Sequence, residues 1–376
     1  MMKKMKTLYL HIGTPKTATT ALQFFCAENE KVLNTYGYTY PNFGIRYKSI
    51  GRCRNGHFLI GGGHGESGKE TLEKKDNTIA HCFEQIYELF NQYDNVILSD
   101  EGLWRRGIWH EGRIWKKLRE EMDKNIFSLK VIVYLRRQDE FLYSRWNQRI
   151  KAAVGLASPD YVTTWQELMN HPPQSILNYY EMLNKIADYI GKESIIVRRF
   201  DKNHFLYGQT IYEDFLHAIG LEYSEKFHIN ENVRNISLTK NNTEIKRILN
   251  GLPSIDESCN KIFRICLSQN SSHSTEAACN MLSKQELRKF LSHYQEGNRK
   301  IAQEYLNMKE NLFPFSYQSA EKWTPQNKAM TEDLIRFIGN LAIYLLKERE
   351  RQKRLLKKHA HAIATLEKKY ANKSLT

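Results

Sequence analysis

Apolar positions along the chain recur with two different periods, and the alternation of these periods predicts the architecture. Short apolar-rich runs occur at residues 8–12, 96–100, 131–135 and 194–198. The run Val131–Leu135 is apolar without alternation, as in a strand buried on both faces of a parallel sheet. Between these runs, residues 17–28, 80–92, 141–153 and 178–190 carry apolar residues at helical spacing. Strand and helix taken in turn predict an α/β fold around a central parallel sheet. Residues 37–69, 154–176 and 222–243 read as loops, and 282–308 as helices. From Thr331 onward, Leu334, Ile335, Phe337, Ile338, Leu341, Tyr344 and Leu345 repeat at helical spacing, so a C-terminal helical extension is expected. No strict heptad runs far enough through it to make a coiled coil the first expectation. The expected division is a body at 1–320 followed by a helix and basic tail at 321–376.

Composition narrows the class. A chain of 376 residues with 41% hydrophobic content can bury one sizeable core. Its six cysteines are scattered with no C-x-x-C pair, which argues against zinc and for reduced thiols in a cytoplasmic setting. Lys3, Lys4 and Lys6 precede an apolar run too short for the roughly 7–15 residues of a signal-peptide core. Nor does any stretch approach the ~18 uncharged apolar residues of a membrane span. The formal charge is +14, and residues 347–376 hold ten Lys/Arg against three Glu, half of that excess. The rest of the chain is only mildly basic, so the charge gives no reason to expect a nucleic-acid partner. The tail reads either as a solvated helix end or as a basic amphipathic segment making peripheral contact with an anionic inner-membrane surface or an acidic partner.

The chemistry concentrates in residues 8–25, LYLHIGTPKTATTALQFF. The strand breaks at Gly13-Thr14-Pro15, and Lys16-Thr17-Ala18-Thr19-Thr20 opens a helix. A helix N-terminus reached through such a turn offers unpaired N–H groups and a favourable dipole to an anion. Lys16 adds a full charge, and threonine hydroxyls add donors. The Walker A pattern G-x-x-x-x-G-K-[ST] does not fit, because Lys16 follows Gly13 by three with no glycine before it. Gly63–Lys69 satisfies that pattern only as far as the lysine. Glu70 follows, and a carboxylate there repels phosphate.

The loop resembles the 5′-phosphosulfate loop of sulfotransferases that use 3′-phosphoadenosine 5′-phosphosulfate (PAPS), G-x-P-K-[ST]-G-T-T, with Ala18 where the family has Gly. Residues 130–148, KVIVYLRRQDEFLYSRWNQ, are similar to the family's strand–Arg–x7–Ser segment, with Arg136 at the strand end and Ser144 eight residues on. The Asn/Asp-Pro that often follows the arginine is Arg137-Gln138 here. Weaker likenesses run through VILSDE at 96–101, IIVRRF at 195–200 and the Asn-Arg and Leu-Phe of 282–313, so that the resemblance covers about residues 7–315.

This resemblance implies a P-loop-like sheet flanked by helices and transfer of a sulfuryl group from PAPS, without a metal, to a hydroxyl of a carbohydrate or glycolipid. Gly13, Thr14, Pro15, Lys16, Thr17, Ala18, Thr19 and Thr20 would hold the donor's 5′ end, and Arg136 with Ser144 its 3′-phosphate. Lys16 would stabilise the departing phosphate. Glu101, at a strand end, is the first candidate for the base and His57 the second, while His11 reads as structural. Arg105 and Arg106 could hold an acidic sugar. The bland alternatives are a solvated strand end at Arg136 and a first-turn carboxylate at Glu101. Competing functions are transfer to a peptide or lipid acceptor, a kinase-like phosphotransferase requiring Mg²⁺ and ATP, and a catalytically dead nucleotide binder.

Overall fold

The computed structural model describes residues 5–47, 50–61, 72–107, 109–153, 162–201, 205–230, 237–253, 255–272, 279–317 and 321–373. In chain order its elements begin with β1 (Lys6–His11), α1 (Thr19–Glu28), α2 (Glu30–Thr35), β2 (Tyr38–Thr39), α3 (Leu72–Leu89) and β3 (Asn95–Ser99). There follow α4 (Leu103–Arg106), α5 (Trp109–Asp123), β4 (Phe127–Leu135), α6 (Gln138–Ala152), α7 (Trp165–Asn170), α8 (Gln174–Leu177) and α9 (Tyr179–Ile190). The remainder comprises β5 (Ile195–Arg199), α10 (Ile211–Ala218), α11 (Lys240–Asn250), α12 (Glu257–Ser272), α13 (Lys284–Leu306) and α14 (Ala329–Lys373). Two compact units result: residues 1–145, 172–235 and 284–317 form the first, and 146–171, 236–283 and 318–376 the second. The second unit therefore draws on two internal segments as well as the C-terminal stretch that sequence set apart at residue 321.

The first unit is α/β. Its five strands are all parallel in the order β2-β3-β1-β4-β5. Leu8 pairs with Val96 on one side and Leu129 on the other, which fixes the register of the central strand. Side chains alternate between two buried faces. Leu8, Leu10, Val131 and Val133 pack with Phe83, Trp115 and Ile186 of α3, α5 and α9. Ile97, Ile132 and Tyr134 pack with Leu22 and Phe25 of α1 and Phe215 of α10. Burial on both faces explains why the strands read as continuous apolar runs. Strand order reverses at β1, with β3 on one side and β4 on the other, and such a reversal opens a crevice at the carboxyl ends of the strands.

The second unit is helical. Leu238, Ile245, Leu267 and Phe337 form its small core with α11, α12 and α14. Buried amides do much of the remaining joining: Asn241 donates to Asp333 at 2.8 Å, and Asn270 donates to Asn242 at 2.7 Å. Helix α14 leaves Leu334, Ile335, Ile338, Leu345 and Leu346 exposed. Among the described residues no helix is long and apolar enough to cross a membrane.

Candidate functional site at the carboxyl edge of the sheet

The chain leaves β1 through a turn held by backbone geometry. Gly13 has φ +57°, and an added methyl there would stand 2.5 Å from Thr19 Cγ2, so only glycine fits. Lys16 and Ala18 also adopt left-handed backbone, with φ +74° and +58°. That conformation explains why glycine suits position 18: an L side chain there costs about 1–2 kcal/mol. The Thr14 N–H donates to the Tyr134 carbonyl at 2.9 Å, tying the loop to β4. The Thr17 hydroxyl donates to the Thr14 carbonyl at 2.6 Å, so it braces the loop and is not spare for a ligand. Helix α1 then starts at Thr19 with no side-chain cap on its first N–H groups. The Thr14 hydroxyl is buried and its oxygen meets no hydrogen-bond partner among the described residues. Uncapped N–H groups and an unpaired buried hydroxyl are donors a phosphate can use. Thr19 is buried, Pro15 half-buried, and Thr20 exposed.

Arg136 joins this loop from the end of β4. Its Nη1 donates to the Lys16 carbonyl at 3.4 Å, its Nε pairs with Glu140 at 3.2 Å, and its guanidinium lies 5.6 Å from the Phe200 ring centroid. The Tyr179 hydroxyl holds the Arg136 carbonyl at 2.8 Å. Ser144 is half-buried in the second turn of α6, the helix that starts two residues after Arg136.

Glu101 follows β3 on the other flank of the loop. A methyl on Gly13 would sit 3.5 Å from its Cβ. Its carboxylate accepts from Gln23 of α1 at 2.9 Å and pairs with Arg54 at 3.1 Å. Beside it, Asp100 is fully buried and takes two bonds from Arg54, at 2.7 and 2.6 Å, and one from His57 Nδ1 at 2.7 Å. Burial opposes the charge on Asp100, yet the bonds from His57 and Arg54 outweigh it and hold the carboxyl below its ordinary pKa. Burial likewise opposes Arg54, and its bonds to Asp100 outweigh that, raising its pKa. Gly102 has room only for hydrogen, because a methyl there would stand 2.7 Å from Arg54 Nη2. Asn55 fastens the Arg54–His57 segment to β3, donating to Ile97 O at 3.0 Å and accepting from the Ser99 N–H at 2.8 Å.

The two candidate bases thus differ. Glu101 retains 21% side-chain exposure, whereas His57 retains 1%. His57 Nε2 meets no partner among the described residues, and the Tyr47 ring crosses it edge-on with centroids 4.7 Å apart. His11 lies inside the sheet's second face, its Nδ1 2.9 Å from Ser99 Oγ, and burial pushes its pKa down to about 3.

The structure therefore gathers the loop, Arg136 and Glu101 at one edge and sets His57 behind Asp100. Gln23, Arg54, Asn55 and Asp100 complete the constellation without having been singled out in the sequence. Two adjacent carboxylates ending a buried strand do signal a need for cations, but Arg54 lies 46 residues from Asp100. Arg105 belongs to α4 and is half-buried; the side chain of Arg106 and all of Gly63–Lys69 fall outside the described residues. Among the described residues no group of three or more His, Cys, Asp or Glu is placed to hold a metal ion.

No known family's pattern matches the chain. It is similar to an uncharacterized protein of Archaeoglobus fulgidus, 25% identical over 228 residues that cover 57% of this chain and 56% of that relative. The likeness thus spans little more than half of either protein.

Proposed function

We propose that the chain transfers a sulfuryl group from PAPS to a hydroxyl of a carbohydrate or glycolipid. The observation that carries this reading is the hydrogen bond joining Arg136 to the Lys16 carbonyl, which sets two cation-bearing strand ends side by side around an uncapped helix. A donor with a phosphate at each end calls for two such anchors. Lys16 and the N–H groups of residues 17–20 would bind the 5′ side, where charge accumulates as the S–O bond breaks. Arg136, with Ser144 on the next helix, would bind the 3′-phosphate and so orient the donor. The Thr14 hydroxyl supplies a further buried donor.

The acceptor oxygen must lose its proton as it bonds to sulfur. Glu101 is the better placed base, being partly exposed and against the loop, while His57 is enclosed. In this reading Arg54 and Gln23 hold the Glu101 carboxylate in position, and Asp100 holds Arg54. Glu101→Gln is expected to keep affinity for 3′-phosphoadenosine 5′-phosphate while single-turnover transfer from labelled PAPS falls roughly 10²–10⁴-fold. Unchanged turnover in Glu101→Gln, with loss in His57→Ala, would transfer the role to His57.

A further inference from the structure

Beyond the loop and its carboxylates, the first unit has a cavity of about 220 Å³ whose lining is chemically selective. Arg46, Arg52 and Arg54 contribute three guanidiniums, Phe43, Tyr47 and Phe58 contribute rings, and none of the twelve lining residues is acidic. Three like charges around one small cavity repel unless counter-charges meet them. Arg54 is met, since Asp100 and Glu101 take its guanidinium. Arg46 and Arg52 are exposed, and neither forms an ion pair with a described residue. Asn55 has no spare donor either, because both its bonds as donor go to the Pro41 and Ile97 carbonyls. The charged groups of the cavity that no described carboxylate meets are therefore two arginines, in a lining that also holds aromatic rings.

We propose that this cavity binds an anionic saccharide, with a sugar ring against the Phe43–Tyr47 wall and its carboxylate or phosphate on Arg46 and Arg52. Guanidinium forks match the planar, bidentate geometry of carboxylates and the oxygens of phosphates, and aromatic faces cover the apolar face of a sugar. The cavity shares Arg54 with Glu101, so a saccharide seated in it lies next to the candidate base. That it is the acceptor rests on the transfer reading; that the cavity takes an anionic sugar does not. The assignment gives Arg46 and Arg52 the part that sequence offered to Arg105 and Arg106.

The test is calorimetry on the full chain with three probes: a galacturonate oligosaccharide, its carboxyl-reduced neutral counterpart, and an oligosaccharide carrying a hexose 6-phosphate. At least one anionic probe is expected to bind, with the neutral one weaker by about tenfold or more, in line with loss of a charge-assisted contact. The double variant Arg46→Ala/Arg52→Ala should lose a similar factor for the anionic probe, with an unchanged melting temperature. Which anionic probe binds tells carboxylate from phosphate. Equal binding of the neutral and anionic probes, an indifferent double variant, or binding of none overturns the proposal. Titration with 3′-phosphoadenosine 5′-phosphate separates the two claims. Should that nucleotide fail to bind while an anionic sugar binds, the transfer reading falls and the cavity assignment stands; the opposite pattern removes the cavity assignment alone.

Discussion

The loop after β1 and the segment carrying Arg54 and His57 flank the same carboxyl edge, but they hold their shape by different means. The loop is fixed chiefly by its backbone, through left-handed residues at Gly13, Lys16 and Ala18 and the Thr14 N–H bond to β4, with one side-chain brace from the Thr17 hydroxyl. The Arg54–His57 segment is fixed by side chains, with the buried Asp100 carboxylate receiving Arg54 and His57. A wall made of backbone can lose a side chain and keep its form. A wall made around a buried charge cannot, since removing one partner strands the other.

The largest expected consequence is at Asp100. Replacing it with Ala would leave the Arg54 guanidinium largely buried with only Glu101 beside it, a loss of about 3–5 kcal/mol in folding stability. Urea unfolding of the variant measures this directly, and a loss under ~1 kcal/mol would erase the contrast between the two walls.

Over any single pH unit a smaller effect is expected on acidification, and it comes from His11 on the sheet's second face. His11 is neutral in the fold, with a pKa of about 3, whereas an unfolded histidine titrates near 6.5. The unfolded chain therefore takes up a proton first, and stability declines as pH falls from 6.5 toward 3, by at most about 1.4 kcal/mol per unit from this group. Asp100 adds to the loss at the acid end, because its depressed carboxyl stabilises the fold only while ionised. His11→Gln should flatten the profile between pH 6 and 5 relative to the parent chain. Parallel profiles would mean that His11 is not the source.

Smallest is the change at Ala18. Glycine accepts left-handed backbone without strain, at some cost in unfolded-chain entropy, so Ala18→Gly should gain about 0.5–1 kcal/mol. Destabilisation by thermal melting would show that the loop is not held in the conformation described.

The same contrast governs what could be read in advance. Backbone-built features leave local marks, and β1, β3, β4 and β5 lie within a few residues of their expected positions, as do α1, α6 and α9. The two-residue β2 fell in a stretch read as loop, being too short to show a period. Helix α11 was lost for another reason. Its buried side carries Asn241, Asn242, Thr243 and Lys246 beside Ile245, so the first half of the helix shows no apolar stripe and only Ile245, Ile248 and Leu249 mark the second. Arg54 and Asn55 act through partners some 40 residues away, and a single sequence holds no signal for such pairings.

The central claim is that Lys16 and Arg136 anchor the two ends of one nucleotide, and calorimetry with 3′-phosphoadenosine 5′-phosphate in the absence of Mg²⁺ tests it most directly. The account predicts binding by the parent chain, a loss of about 2–3 kcal/mol in each of Lys16→Ala and Arg136→Ala, and unchanged melting temperatures in both. Binding of ATP that requires Mg²⁺ and is indifferent to both substitutions would contradict it.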